Sequence, residues 1–329
     1  LDSERDVSVI RESLTVTEDG KLKPFASRES LNIYSKVFKD IINYTQKEHP
    51  SIQNIKYTVH GPLQNIPLAL LLTDGEKDKF FSDDFSLSLV PSANFIRYVK
   101  RPQITPASSI IGFGDPDFEG ERFTELRGLN FVDLGITDLH SKIKKMAPLP
   151  DTAVEVRSIS SLFKTGKNKV LLGTDANEKA FLNQKYDGYD IIVVATHGVQ
   201  SKELLNLEEP ALLLPFAKGS NRAGYDGALT TTEISALDLD AEIILLSACN
   251  TAYANESYNE TLSGLASSFL AAGAKSLLVS NWAIDSQTTS RLTLEVFKNL
   301  INSETTTPAI ALKNAMIKIR KAGLAHPFY

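Results

Sequence analysis

The sequence predicts an α/β/α sandwich in which helices cover both faces of a mostly parallel central sheet. Two runs, residues 190–198 and 241–250, are short, continuously apolar and bounded by polar residues, which is typical of strands buried on both faces of a parallel sheet. From residue 109 onward, such runs alternate with amphipathic helical patterns. The 329 residues, of which 42% are hydrophobic, are enough for a substantial core.

Composition argues against several classes of function. The net charge is -5 and the basic residues are scattered among acidic ones, so nucleic acid is not an expected partner. One cysteine excludes an internal disulfide, and no Cys/His cluster has metal-ligand spacing, so we expect a reducing, cytoplasmic setting with no metal and no cofactor. No apolar run reaches the roughly 18 residues of a membrane span, and no signal peptide is recognisable, so we expect no membrane partner.

The first part of the chain, residues 1–105, is predicted to carry structure rather than chemistry. A short strand is predicted at residues 13–17, an amphipathic helix at 28–48, further strands at 55–59 and 85–90, and a buried segment at 66–72. Residues 104–106 are predicted to form a connector. The chemistry is therefore expected in a second part, residues 106–329.

The second part begins with a buried strand at residues 109–116 that ends in a Gly/Asp/Pro turn. A long surface excursion is predicted at 117–150, followed by a helix at 151–163 capped by Asp151 or Thr152, with Glu155 in its first turn. A capping signature at residues 229–234 predicts another short helix. The remaining predictions are strands at 169–173 and 275–282 and helices at 177–183, 262–273, 286–300 and 308–321.

A reactive side chain stands at the end of each of the two most apolar runs, His197 after the first and Cys249 after the second. The carboxyl ends of parallel strands meet at one edge of a sheet, where open α/β sheets bind their ligands. A thiolate is the attacking species, and an imidazole accepts the thiol proton or stabilises the anion. Each residue alone is more often structural; the pair indicates a nucleophile with its base.

Such a nucleophile needs N–H donors for the oxyanion of its tetrahedral intermediate. The amide of Gly198 suits this role because a residue without Cβ lets its backbone approach a substrate closely. An ordinary turn glycine explains Gly198 equally well. The amide of Cys249 is the second candidate donor.

Several segments in order along the chain resemble the CHAT domain, a branch of the caspase and separase peptidases of clan CD. They are Ala-Thr-His-Gly at 195–198, Leu-Leu-Ser-Ala-Cys-Asn-Thr-Ala at 245–252, the small-residue run at 264–276, Ser-Asn-Trp at 280–282, and earlier segments at 61–67, 89–93, 114–118 and 149–156. The resemblance implies a caspase-like sandwich with His197 and Cys249 as catalytic dyad. It also implies that residues 1–105 form a degenerate, non-catalytic α/β layer.

Substrate recognition is predicted to involve residues near the end of the strand at 275–282. Asp285 is a candidate floor for a pocket that takes a P1 Arg or Lys, as the resemblance to separases implies, but a helix cap explains it as well. The backbone around Trp282 is suited to bind a peptide as an added strand. Glu260 is a second acidic candidate, although a solvated loop also explains it. Lys144 and Lys145 are candidate self-cleavage positions.

The combined expectation is a cysteine endopeptidase that cleaves a protein partner after a basic residue, through an acyl-thioester. The resemblance also implies a regulatory partner, since such domains are commonly preceded by helical repeats or a sensor module and end in a Trp-containing strand; we therefore expect a fragment of a larger protein. Two alternatives stay open: a catalytically silent scaffold, and a small-molecule hydrolase or transferase that uses a thiol.

Overall fold

The computed structural model describes residues 3–17, 21–97, 101–118, 143, 146–204, 207–215, 225–248, 264–281 and 286–327. These fall into two compact units, one within Leu1–Val99 and Ala309–Tyr329, the other within Lys100–Asn255 and Leu262–Pro308. Within these ranges, no helix combines the length and apolar character needed to cross a bilayer.

The helices and strands are numbered in chain order. The α-helices are α1 (Ser3–Ser13), α2 (Ser27–Ile33), α3 (Lys39–Glu48), α4 (Phe81–Asp84), α5 (Pro150–Ser160), α6 (Glu178–Leu182), α7 (Thr231–Ser235), α8 (Gly264–Ala271), α9 (Ser286–Ile301) and α10 (Pro308–Lys321). The strands are β1 (Asn54–Tyr57), β2 (Leu72–Asp74), β3 (Lys79–Phe80), β4 (Ser86–Leu89), β5 (Ile110–Pro116), β6 (Asn168–Gly173), β7 (Ile191–Ala195), β8 (His197–Val199), β9 (Ala211–Leu213), β10 (Ala228–Thr230), β11 (Ile243–Ser247) and β12 (Leu277–Val279).

The first unit begins with a helix, α1, that the sequence analysis did not predict. The strand at residues 13–17 is wrong, because α1 continues to Ser13 and only a single bridge, Val16 to Leu22, follows it. Val7 and Ile10 are buried on one face of α1, and Leu14, directly after the helix, continues the same spacing and is also buried. That stripe of apolar residues was the signal for the helix.

The helix predicted at 28–48 is confirmed, with an interruption. A π-helical turn, Tyr34–Phe38, separates α2 from α3. The rings of Tyr34 and Phe38 both contact Phe81, with centroid distances of 5.6 and 5.9 Å. The interrupted helix therefore packs two aromatic side chains on a single buried partner.

The rest of the first unit is built from short pairings. Strand β1 pairs in parallel with β4, which confirms the strands predicted at 55–59 and 85–90, and β2 pairs antiparallel with β3. The carboxyl-terminal helix α10 joins this unit through Arg320, whose guanidinium binds both carboxylate oxygens of Asp83. Lys313 also donates to the carbonyl of Asp84 (2.7 Å).

The second unit contains the predicted central sheet, so the predicted fold class is confirmed. Its strand order is β12-β11-β7-β5-β6, and every neighbouring pair is parallel. All residues of β7 and β11 are buried, as expected for continuously apolar strands in the middle of such a sheet. Helix α7 begins with a capping box between Thr230 and Glu233, which confirms the signature at 229–234.

Helix α5 lies unusually close to β5, because two glycines of that strand face it. A Cβ atom on Gly112 would lie 2.4 Å from Cγ1 of Val156, and one on Gly114 would lie 3.0 Å from the carbonyl oxygen of Thr152. Neither position has room for a side chain without displacement of the helix. The opposite face of the sheet is covered by an apolar cluster that includes Phe113, Phe181, Ile192, Val194, Leu246 and Phe269.

The start of α5 differs from the prediction. The helix begins at Pro150 with Leu149 in the cap position, so neither Asp151 nor Thr152 is the N-cap, and Glu155 lies in the second turn. The hydroxyl of Thr152 instead donates to the carbonyl of Leu149 (2.6 Å) and accepts from the amide of Asp115 (2.7 Å). A proline at the first helical position needs no partner for its nitrogen, which is why the helix starts there.

A surface location was predicted for residues 117–150, and this is wrong for four of the residues that the structure describes. The side chains of Phe118, Ile143, Met146 and Leu149 are all buried. The rest of that excursion, including Lys144 and Lys145, lies outside the described residues.

Candidate active site

The strands that lead to the two predicted catalytic residues are neighbours in the sheet. Strands β7 and β11 pair in parallel up to Ala195 and Ser247, which lie opposite each other. His197 and Cys249 each follow two residues after this last pair, so both chain segments leave the sheet at the same edge and level. Cys249 itself lies outside the described residues.

His197 does not prolong β7 as the sequence suggested. The run at 190–198 was interpreted as one strand, but it divides at Thr196, whose buried hydroxyl donates to the carbonyl of Leu213. His197 then opens β8, which pairs antiparallel with β9, and β9 with β10. The histidine is thus fixed between two sheets rather than held on a turn.

The imidazole of His197 is buried, with 5% of its surface exposed. Its Nε2 lies 2.7 Å from the carbonyl oxygen of Ala147, and its ring contacts that of Phe118 at a centroid distance of 5.8 Å. Because a carbonyl oxygen only accepts, Nε2 carries the hydrogen of this bond. Nδ1 is then the nitrogen of the neutral ring that can take up a further proton, and the carbonyl dipole stabilises the imidazolium that results.

The carbonyl of Ala147 is held by its neighbours in the chain. Met146 and Ile143 are buried, and the amide of Met146 donates to the carbonyl of Ile143 (3.1 Å). Both side chains belong to an apolar cluster beneath β8, β9 and β10 that also contains Phe118, Val199, Leu204, Leu207, Ala211, Leu213 and Ala228. Sequence reasoning missed Ala147 because a backbone acceptor leaves no side-chain signal.

Gly198 lies inside β8, opposite Leu212, and is partly exposed. Its φ is not among the positive values found at six other described glycines, so the backbone conformation does not itself require a glycine here. The predicted oxyanion role of its amide stays a prediction.

An acidic residue that the sequence analysis treated as part of a turn stands on the same sheet edge. Asp115 comes near the carboxyl end of β5, the neighbour of β7, and has a positive φ of 46°. Positive φ is costly for a residue with a side chain and is concentrated at functional sites. Burial, with a smaller contribution from Asp117, raises the pKa of the Asp115 carboxyl. The signal available in the sequence was an Asp-Pro pair at the end of a buried strand.

The other predicted site residues are Trp282, Asp285 and Glu260, and all three lie outside the described residues. Helix α9 starts at Ser286, as predicted, so Asp285 directly precedes its first residue. Both roles considered for Asp285, cap and pocket floor, stay predictions. Within the described ranges, no group of three or more His, Cys, Asp or Glu side chains is arranged to hold a metal ion.

Comparison with known proteins assigns the chain to a family. A family model described as the CHAT domain matches residues 31–329. A search of curated proteins found no match. Similar solved structures include the Arg-specific cysteine proteinase gingipain R (RgpB), at 10% identity over 98% of this chain and 69% of that chain, with a TM-score of 0.50.

A second similar structure is the complex of Porphyromonas gingivalis RgpB pro- and mature domains, at 10% identity over 98% of this chain and 72% of that chain, with a TM-score of 0.50. At this identity the likeness concerns the fold alone, which is that of the caspase-like cysteine proteinases. The family match covers most of the sequence. The chain therefore belongs to the CHAT domain family.

Proposed function

We propose that this protein is a cysteine endopeptidase in which Cys249 is the nucleophile and His197 its base. The observation that carries the proposal is the buried imidazole, whose Nε2 is engaged by the carbonyl of Ala147, beside the strand that leads in register to Cys249. A histidine fixed in one tautomer next to a thiol is what thiolate formation requires.

The proposed reaction has two steps. In the first, the thiolate attacks the carbonyl carbon of the scissile bond, the C–N bond breaks, and the imidazolium gives its proton to the leaving amine, which leaves an acyl-thioester. In the second, water attacks the thioester, His197 accepts a proton from the water, and the C–S bond breaks to restore the thiolate. The amides of Gly198 and Cys249 are the proposed donors to the oxyanion.

We also propose that the substrate is a protein cleaved after a basic residue. Asp285 is the proposed partner of the P1 side chain, with Glu260 as a second acidic candidate and Trp282 beside the bound peptide. Gingipain R, a protein with a similar fold, is itself Arg-specific, which supports the choice of basic residues as the first to test. Asp115 adds a negative group to the same sheet edge.

Control by a second polypeptide is part of the proposal. A protein with a similar fold, RgpB, forms a complex between its pro- and mature domains, which supports this part of the proposal. We propose that a partner or a further segment regulates this protein in a comparable way.

The experiment is hydrolysis of a peptide panel with Arg, Lys, Asp or Asn at P1, by the wild type and by Cys249→Ala and His197→Ala variants. We expect cleavage after Arg or Lys, a loss of at least about 1,000-fold in kcat/KM in both variants, and a selective loss of basic P1 cleavage in Asp285→Ala. The matched control is Glu208→Ala, which removes an acidic side chain at an exposed position.

Labelling with an Arg-based peptidyl electrophile, read by intact mass, completes the test. An adduct that disappears in Cys249→Ala supports the peptidase. No hydrolysis and no adduct, in a chain whose thiol reacts normally with a small alkylating agent, would instead support a catalytically silent scaffold.

A further inference from the structure

Helix α5 carries a carboxylate on the face that packs against the sheet. Glu155 is 1% exposed, whereas Val156 and Ile159 on the same buried side are apolar. Burying an ionisable side chain is costly unless its oxygens are hydrogen-bonded, and an apolar residue would serve helix packing at lower cost. The position therefore calls for an explanation beyond packing.

Both carboxylate oxygens of Glu155 have partners from distant parts of the chain. The hydroxyl of Ser247 donates to Oε2, and the hydroxyl of Thr293 donates to Oε1, each at 2.9 Å. Ser247 and Thr293 are themselves buried. One carboxylate thus joins three elements, α5, β11 and α9.

The close contact of α5 with β5 brings this carboxylate within reach of β11. The space left by Gly112 and Gly114 lets the helix backbone approach β5. The side chain of Glu155 then extends across β7 to reach β11. With an ordinary side chain at position 112, the helix would have to move away from the sheet. The glycines and the carboxylate are therefore parts of one arrangement.

The hydrogen bond between Glu155 and Ser247 lies close in sequence to the proposed nucleophile. Ser247 is the last residue of β11, and Cys249 follows two residues later. The residue between them is also held, since the hydroxyl of Ser280 donates to the carbonyl of Ala248. Glu155 of α5 thus holds the side chain of Ser247, and Ser280, directly after β12, holds the backbone of Ala248.

We infer that Glu155, with Ser247 and Thr293, forms a positioning network that fixes the strand end from which the nucleophile leaves the sheet. The inference rests on the proposed function, since it assigns a purpose to the position of the thiol. Glu155 is a positioning residue that acts through Ser247. A displacement of the strand end by about 1 Å would carry the thiol away from His197, which for aligned reactants costs up to about 100-fold in rate.

The test measures the thiol itself, because the chain has only one cysteine. The rate of alkylation by iodoacetamide is followed by intact mass from pH 5 to pH 9, without any substrate. A wild-type thiol paired with His197 should react well below the ordinary thiol pKa of about 8.5. His197→Ala should return the pH profile to that of an isolated thiol.

The key variants are Glu155→Leu, which removes both hydrogen bonds, and Glu155→Gln, whose amide can accept from one hydroxyl and donate to the other. We expect Glu155→Leu to lower the alkylation rate at pH 6.5 by about 10-fold or more and to shift its profile toward that of His197→Ala. Glu155→Gln should restore most of the rate.

Ser247→Ala should change the profile in the same direction, while Ser268→Ala is its matched control. Ser268 is also buried, and its hydroxyl donates to the carbonyl of Leu265 (2.8 Å) within the same helix, α8. Thermal unfolding of each variant separates a shifted profile from a failure to fold, and Ser247→Ala keeps the test decisive where Glu155→Leu does not fold.

The possible results separate the two proposals. Folded Glu155→Leu and Ser247→Ala variants with a wild-type pH profile would overturn the positioning network, while the difference between wild type and His197→Ala would still stand for the dyad. If His197→Ala itself had a wild-type profile, the dyad and the network that serves it would both fall.

Discussion

Two carboxylates in the second unit are equally buried, at 1% exposure, and their surroundings differ. Glu155 has a hydroxyl donor on each oxygen. Glu178 is the first residue of α6, and its Oε2 accepts a hydrogen bond from the amide of Gly227 (2.6 Å). Its Oε1 is buried with no hydrogen-bond partner among the described residues.

The consequence for Glu178 is electrostatic. The pKa of its carboxyl is raised to about 7, mainly by burial; the charges of Asp226 and Glu233 also raise it, and the hydrogen bond from the amide of Gly227 lowers it. A carboxyl that lacks a donor is more stable with its own proton. The comparison teaches that burial alone does not define the role of an acidic residue: full hydrogen bonding suits a fixed link between elements, and incomplete hydrogen bonding suits a group that titrates near neutrality.

The largest effect is expected from Gly112→Ala, which acts on the Glu155 side of this comparison. The new methyl group would stand 2.4 Å from Cγ1 of Val156, so α5 must shift, at a cost of about 3 kcal/mol of unfolding free energy. The shift should also loosen the bond from Ser247 to Glu155 and slow alkylation of Cys249. Urea unfolding measures the first effect and iodoacetamide labelling the second.

The double variant Gly112→Ala/Val156→Ala is the control for Gly112→Ala. Removing the two Cγ atoms of Val156 makes room for the new methyl group and should recover part of both losses. Destabilisation with an unchanged alkylation rate would separate the helix position from the thiol and contradict the link through Glu155.

The next largest effect is the dependence of the unfolding free energy on pH that the titration of Glu178 causes. Its native pKa, about 7, lies above the ordinary value of 4.5, so between these values the native state holds a proton that the unfolded state releases. This contribution to stability is complete below pH 4.5 and is lost as pH rises to 7 and above. Allowing for screening by solvent, the loss amounts to about 2 kcal/mol.

Glu178→Gln removes this titration and keeps the shape of the side chain. The difference in unfolding free energy between Glu178→Gln and wild type should therefore increase in favour of the variant from pH 4.5 to pH 8, as measured by urea unfolding. Glu155→Gln, measured over the same pH range, is the matched variant of the other buried carboxylate. A pH-independent difference for Glu178→Gln would mean that this carboxyl titrates normally.

The sequence predicted those features that depend on neighbouring residues. The apolar runs of β7 and β11 were recognisable because every residue of a central parallel strand is buried. The capping box of α7 was recognisable because Thr230 and Glu233 are three residues apart and bond to each other. In α7 both the pattern and the contact are local, whereas in β7 and β11 the local pattern alone was enough to predict burial.

What the sequence could not provide depends on residues far apart in the chain. The division of the histidine run at Thr196 follows from pairing with Leu213, and the tautomer of His197 from a carbonyl 50 residues away. Glu155 resembled an ordinary helical acid, since its partners Ser247 and Thr293 are 92 and 138 residues distant. No local pattern encodes these contacts.

The smallest effect is expected from Glu233→Gln, which changes the surroundings of Glu178 without touching it. Glutamine preserves the capping box with Thr230, since its side-chain oxygen can still accept from the backbone amide of Thr230, 2.8 Å from Oε2 of Glu233. The substitution removes one of the negative charges that raise the pKa of Glu178. The pH range over which the stability contribution of Glu178 is lost should therefore end at a lower pH, with little change in stability below pH 4.5.

Thr230→Ala provides the contrast to Glu233→Gln. It breaks the capping box and should cost about 1 kcal/mol at every pH, because it removes a hydroxyl and leaves both charges in place. Urea unfolding of the two variants from pH 4 to pH 8 distinguishes a shift in the pH range over which stability is lost from a loss of stability that is the same at every pH. If Glu233→Gln gave only a uniform loss, burial and Asp226 alone would account for the raised pKa of Glu178, and the charge of Glu233 would have no part in its titration.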